Sequence, residues 1–190
     1  MEIILASQSP RRQELLQILV KQFTIKVAAI DESILTNETP FAYVQRMAFE
    51  KATKIASLYP EALVIGSDTT VVIDQNILGK PANDLDAQRM LRQLSGRTHD
   101  VYTAVSIIYQ STPKTFVSSA QVTFATLTEE EITKYLALNE YQDKAGAYGI
   151  QGAASKFIEK IHGDYYAIVG LPIQALYQEL KQMVLPTDLL

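Results

Sequence analysis

Near the start of the chain, Ser7 and Ser9 stand beside Pro10, Arg11 and Arg12, where an apolar run gives way to a helix start. Free N–H groups at a helix N-terminus attract anions, and cations there oppose the helix dipole. Two arginines and two serines at that point suit a docked phosphate chain, because guanidinium offers a fork of donors to phosphate oxygens. The same pattern also fits solvated arginines beside serines that only cap the helix.

Lys51 falls on a helical stripe with Val44, Ala48, Ala52 and Ile55. It therefore lies along an apolar face and needs a partner or a ligand there, unless its stem snorkels to the surface. Asp68 lies between two apolar strand-like runs, in Gly66-Ser67-Asp68-Thr69-Thr70. A carboxylate in a buried strand is costly unless paired, bound to metal or opened to a cleft; the alternative is a turn aspartate at a strand end. Gly66 permits a bulge or a close backbone approach. Glu32 and Lys80 are ordinary loop residues singly. As a set, two carboxylates, two lysines and two arginines meet the needs of metal-assisted phosphoryl chemistry. The carboxylates hold Mg²⁺ and orient water, while the cations absorb phosphate charge.

A further segment, 143–152, combines three glycines and two alanines with Gln151. Small residues let a ligand approach the backbone, and the Gln151 amide can read a base edge. The spacing matches neither a dinucleotide-binding nor a P-loop motif, and a flexible turn fits equally well.

These residues need elements to position them. A buried strand is expected over 3–6, followed by a helix from Ser9 and Pro10 carrying Leu15, Leu16 and Leu19. Thr39 and Pro40 open a second helix. Strands are expected over 62–65 and 71–73, separated by Gly66, Ser67 and Asp68. A third helix begins at Asp84 and ends near Gly96. Long strands over 101–109 and 115–127 read as a hairpin. Thr128 and Glu131 form a capping-box pattern. A late strand over 157–161 precedes a last helix opened by Pro172, with Ile173, Leu176, Tyr177 and Leu180 as its core face. The order is mixed α/β rather than a run of βαβ units.

The 190 residues suit one domain, 1–190, or one domain with two lobes. The absence of cysteine excludes disulfides, thiolate catalysis and thiolate-bound zinc. The two histidines, His99 and His162, sit in unrelated contexts, which argues against a histidine zinc site or a Ser-His-Asp triad. A net charge of -4 argues against nucleic-acid binding but leaves room for a local phosphate pocket. No signal peptide is recognisable and no apolar run approaches the ~20 residues that span a bilayer, so the chain reads as cytoplasmic. The tail after Met183 carries no motif and is expected to be disordered.

Taken together, the segments resemble the Maf family of nucleotide pyrophosphatases. The matching stretches are 5–16, Val44 through Arg46 to Lys51 and Ala52, 66–69, 79–81, 94–99, 143–152, 163–166 and 169–172, in family order along nearly the whole chain. The resemblance implies an α/β fold with an elongated mixed sheet and flanking helices. Two lobes would surround a deep cleft, as in the inosine triphosphate pyrophosphatases. It also implies hydrolysis of a nucleoside triphosphate to the monophosphate and pyrophosphate, with Mg²⁺ or Mn²⁺. By matching motifs Asp68 would be the catalytic base, with Glu32, Lys51 and Lys80 as its charged companions; Glu32 and Asp68 would hold the metal. Ser7, Ser9, Arg11 and Arg12 would hold the triphosphate. Arg11, Thr69 and Gln151 match the subgroup acting on dTTP and UTP, as distinct from the related 7-methyl-GTP enzymes. The implied role is removal of non-standard or surplus nucleotides. The expected partner is a nucleoside triphosphate, with a homodimer as the candidate assembly and neither nucleic acid nor membrane involved. The rival reading is a regulatory protein that binds a partner in septum formation. It leaves Asp68 in a buried strand and Lys51 on an apolar face without a purpose.

Overall fold

The computed structural model describes residues 1–183. In chain order these form β1 (Ile3–Leu5), α1 (Pro10–Leu19), β2 (Thr24–Ile25), α2 (Pro40–Ala56), β3 (Leu63–Ile73), β4 (Asn76–Leu78) and α3 (Asp84–Leu94). There follow β5 (Thr98–Tyr109), β6 (Thr112–Phe124), α4 (Glu129–Leu136), β7 (Ile158–Gly163), α5 (Tyr165–Val169) and α6 (Ile173–Gln182). Short 3-10 turns occupy Ala145–Ala147 and Ala153–Phe157. The strands form one seven-stranded sheet in the order β2-β1-β3-β5-β6-β7, with β4 paired to β3 off that path. β1 runs parallel to β2 and β3, whereas β3–β4 and β6–β7 are antiparallel. The expected mixed α/β architecture is borne out. The tail after Met183 lies outside the described residues. No helix among those described is long and apolar enough to cross a membrane.

The chain divides into two compact units. Among the described residues, the first comprises Met1–Asp68, Thr103–Ser118 and 170–183; the second comprises Thr69–Tyr102 and Ser119–Val169. In the first, both early helices begin as their sequences dictate. Ser9 Oγ accepts from Arg12 N and Thr39 Oγ1 from Ala42 N, and a proline follows each cap. α2 buries Val44, Met47, Ala48, Ala52 and Ile55. Its backbone presses on β3 so closely that a Cβ on Gly66 would meet Ala48 O at 2.5 Å and Ala52 N at 2.7 Å. Gly66 thus serves close approach.

β3 is also one continuous strand where two were expected. The polar residues do not break it because each is satisfied in place. The Ser67 hydroxyl lies 3.0 Å from Ala104 O and 3.2 Å from Gly170 O, and Asp68 is ion-paired. β5 and β6 start three residues earlier than read, joined through Gln110 and Ser111, both at positive φ. β4 went unread for a related reason: Asp74 and Gln75, both at positive φ, form its turn without the usual glycine. In α6, Leu176 and Leu180 are buried as expected, but Tyr177 is 38% exposed.

In the second unit, Asn83 caps α3 by accepting from Asp86 N, and Ala87, Met90, Leu91 and Leu94 are buried. Gly96, at φ +67°, follows the helix. The Thr128–Glu131 capping box is formed in full. These helices join a core containing Val71, Val101, Phe124, Tyr135, Tyr148 and Phe157. Phe157 ends a 3-10 turn and packs on Tyr135, so the late strand begins at Ile158.

Candidate active site

In the first unit, β1 delivers the chain to Ser7, which is buried. Ser7 Oγ accepts from Ser9 N at 3.2 Å and from Arg12 Nη1 at 3.3 Å, while Arg12 Nε donates to Gly170 O at 2.9 Å. Arg12 is therefore also a structural tie, a role the local pattern did not reveal. Its acceptor lies far along the chain. Ser9 acts as the helix cap, and Arg11 is half-buried in the first turn of α1.

Lys51 projects from α2 with its side chain 12% exposed. Its Nζ lies 2.7 Å from Asp68 Oδ1 and 2.7 Å from Glu32 Oε1. The lysine has turned inward onto both carboxylates. Asp68 is 13% exposed on its side chain and Glu32 46%, so one carboxylate is sheltered and the other faces water. Arg12 stands in the same field. Burial lowers the pKa of its guanidinium, Asp68 opposes that shift, Arg11 adds to it, and Glu32 opposes it again. Tyr43, on α2, is pushed up to about 12 by burial first and then by Asp68 and Glu32. It stays protonated and donates to the Glu32 main-chain carbonyl at 3.1 Å. The structure thus gathers Ser7, Arg12, Glu32, Lys51 and Asp68.

Three neighbours of this cluster were given no chemical role from sequence: Tyr43, Glu38 and Arg46, the last named only within a matching stretch. Arg46 Nε and Nη2 donate to Glu38 Oε1 and Oε2 at 2.6 and 2.7 Å. The available signal was spacing, since Tyr43, Arg46 and Glu50 recur on one face of α2.

Thr69, Lys80 and Gln151 belong to the second unit. Segment 143–152 is held at many points. Gly146 takes φ +68°, and a Cβ there would crowd Val71 at 3.0–3.1 Å. Gly146 N donates to Gly79 O at 3.1 Å, next to Lys80. Tyr135 Oη donates to Ala147 O at 3.3 Å, and Ala153 N to Glu140 Oε2 at 2.7 Å. Tyr148 is buried, its hydroxyl 2.8 Å from His99 Nε2. Lys80 and Gln151 themselves are exposed, and neither makes a hydrogen bond or ion pair among the described residues. Thr69 is half-buried beside Asp68; β3 runs through both, and a regular strand alternates its side chains between faces.

No group of three or more His, Asp or Glu side chains among the described residues could hold a metal ion. Glu32 and Asp68 form a smaller donor set. Both carboxylates face the single position that the Lys51 ammonium occupies, where a divalent cation could take its place. Mg²⁺ is commonly held by one or two carboxylates with substrate phosphates and water completing its shell, so the pair fits a cation that arrives with a phosphate ligand.

The profile of the family described as Maf-like protein matches residues 2–183. A dTTP/UTP pyrophosphatase of Bacillus cereus (strain Q1) is 49% identical over 181 residues, covering 95% of each chain. A dTTP/UTP pyrophosphatase of Bacillus mycoides (strain KBAB4) is 50% identical over the same length and coverage. Among solved structures, the Ham1 protein of Staphylococcus aureus aligns with a TM-score of 0.55 at 14% identity, over 96% of this chain and 99% of that one. That likeness concerns the fold alone. The family match over nearly the whole chain and the two relatives at about half identity leave one assignment: the chain belongs to the Maf family.

Proposed function

We propose that this protein hydrolyses dTTP and UTP to the monophosphate and pyrophosphate, and so clears surplus or non-standard nucleotides from the cytoplasmic pool. The observation that carries the reading is Lys51, held between Glu32 and Asp68 at 2.7 Å from each. The names of the relatives support the reaction and the two substrates. In this proposal Asp68 is the general base, its carboxylate taking a proton from water as the water oxygen bonds to the α-phosphorus. The bond from that phosphorus to its bridging oxygen breaks, and pyrophosphate leaves. Lys51 and Arg12 face the accumulating negative charge, which is where catalysis of phosphoryl transfer lies. Glu32 and Asp68 would hold a divalent cation, which when bound supplies charge neutralisation and lowers the pKa of water. For Thr69, Lys80, Arg11 and Gln151, the roles in base selection and phosphate contact rest on motif resemblance.

The test is release of pyrophosphate from dTTP, UTP, CTP, ATP and GTP with Mg²⁺ or Mn²⁺. The expected result is cleavage of dTTP and UTP well ahead of the other three. A preference for CTP or a purine overturns the substrate assignment, and no release from any nucleotide overturns the reaction.

A further inference from the structure

The long connection over 26–39, between β2 and α2, carries Glu32 and has no helix or strand of its own. Loops of this length in compact folds are usually either functional or disordered. This one is fastened. Inside it, Leu35 N donates to Glu38 Oε2 at 3.0 Å and Glu38 N to Leu35 O at 3.1 Å. From outside, the Arg46 guanidinium grips it twice. Nε and Nη2 clasp both oxygens of Glu38, and Nη2 also donates to Ser33 O at 2.9 Å. The remaining nitrogen, Nη1, reaches Glu50 Oε1 on the same helix at 3.4 Å. Glu38 is 7% exposed on its side chain and Arg46 20%, so this pair is sheltered and its geometry is bidentate. Arg46 holds the carboxyl of Glu38 below the usual carboxylate range. Tyr43, three residues before Arg46, adds the bond to the Glu32 carbonyl.

The grip matters because Glu32 is the weak member of its cluster. A carboxylate nearly half exposed to water gains little from an ion pair alone, and side-chain freedom competes with that pairing. Its position beside Lys51 depends on where the backbone of 31–38 is placed. The core of α2 does not need Arg46, since Val44, Met47, Ala48, Ala52 and Ile55 supply it. We infer that Arg46 is a positioning residue which, through Glu38 and Ser33, fixes the loop over 31–38 on α2 and so places the Glu32 carboxylate beside Lys51 and Asp68. This deepens the proposed function and rests on it for the role of Glu32.

The experiment is a double-mutant cycle on the intact protein with dTTP as substrate. Arg46→Lys keeps the charge and loses the fork. Expected results are a fall in kcat of about tenfold with KM nearly unchanged, faster amide exchange over 31–38, and a thermal midpoint within a few degrees of wild type. In a Glu32→Gln background, Arg46→Lys should cause no further loss of kcat, because the arginine acts through Glu32. Glu38→Gln opens the clamp from the other side and should reproduce the pattern if Arg46→Lys does not fold. Losses that add, or a wild-type kcat despite a loosened loop, overturn the inference. If the wild type cleaves no nucleotide, the proposed function fails. The clamp is then judged by exchange alone, and unchanged protection over 31–38 in Arg46→Lys overturns it.

Discussion

The two units handle their candidate residues in opposite ways. In the first, the charged side chains are already partnered: Lys51 with Glu32 and Asp68, and Arg12 with the Ser7 hydroxyl and the Gly170 carbonyl. In the second, Lys80 and Gln151 are exposed, and order is supplied by the backbone around them through Gly146, Tyr148 and Glu140. A paired cluster holds its shape without a ligand, but a cation that takes the position between Glu32 and Asp68 must displace Lys51. An exposed side chain on a fixed backbone has no partner to displace and depends on the stiffness of its support.

The sharpest break of that contrast is Asp68→Asn, which removes charge from the paired cluster while Lys51 keeps Glu32. Turnover of dTTP should fall ~10²–10⁴-fold, the scale of a lost general base. Circular dichroism should show a folded protein, and near-normal kcat in that protein would remove Asp68 from the mechanism. Next comes a pH effect in the second unit. Burial lowers the His99 pKa from the ordinary 6.5 to about 4. The unfolded chain therefore takes up a proton between pH 6.5 and 4 that the native protein refuses. Stability should be full above pH 6.5 and fall by about 3 kcal/mol as pH drops through that window. Urea titrations from pH 7 to 4 should show a steeper loss for wild type than for His99→Gln; parallel curves contradict the assignment. Third, Gly66→Ala forces a methyl group into the backbone of α2 and should cost about 1–3 kcal/mol in a denaturant melt. An unchanged midpoint would show that α2 can retreat without cost. The smallest effect is expected at Gln151→Ala, where the supporting backbone stays intact. The ratio of kcat/KM for dTTP over CTP should shrink about tenfold, roughly one hydrogen bond, with no change in melting. A preserved ratio means Gln151 does not read the base.

Much of this was legible because it is local. Ser9 with Pro10 and Thr39 with Pro40 announce helix starts, and helical spacing alone put Lys51 on the buried side of α2. Asp68 was conspicuous for being polar inside an apolar strand. The unread features depend on partners distant in sequence or on turns that lack their usual residues. Continuity of β3 requires Ala104 and Gly170 to satisfy Ser67. Nothing near Arg12 names Gly170 as its acceptor, and the Arg46–Glu38 clasp is an ordinary helix arginine until the loop folds back. Segment 143–152 read as either a ligand path or a flexible turn because the residues that stiffen it, Val71, His99, Tyr135 and Glu140, come from other parts of the chain.

The carbonyl oxygen of Gly170 takes the Arg12 Nε bond and lies within reach of the Ser67 hydroxyl. A ribosome adding roughly 5–20 residues per second incorporates Arg12 about 8 to 30 seconds before it makes that oxygen. Every residue of the second unit is synthesised in the interval. The first unit thus contains segments made before and after the whole of the second. A nascent chain halted just before Gly170 would hold all of the second unit, and a first unit in which Arg12 Nε still awaits its acceptor.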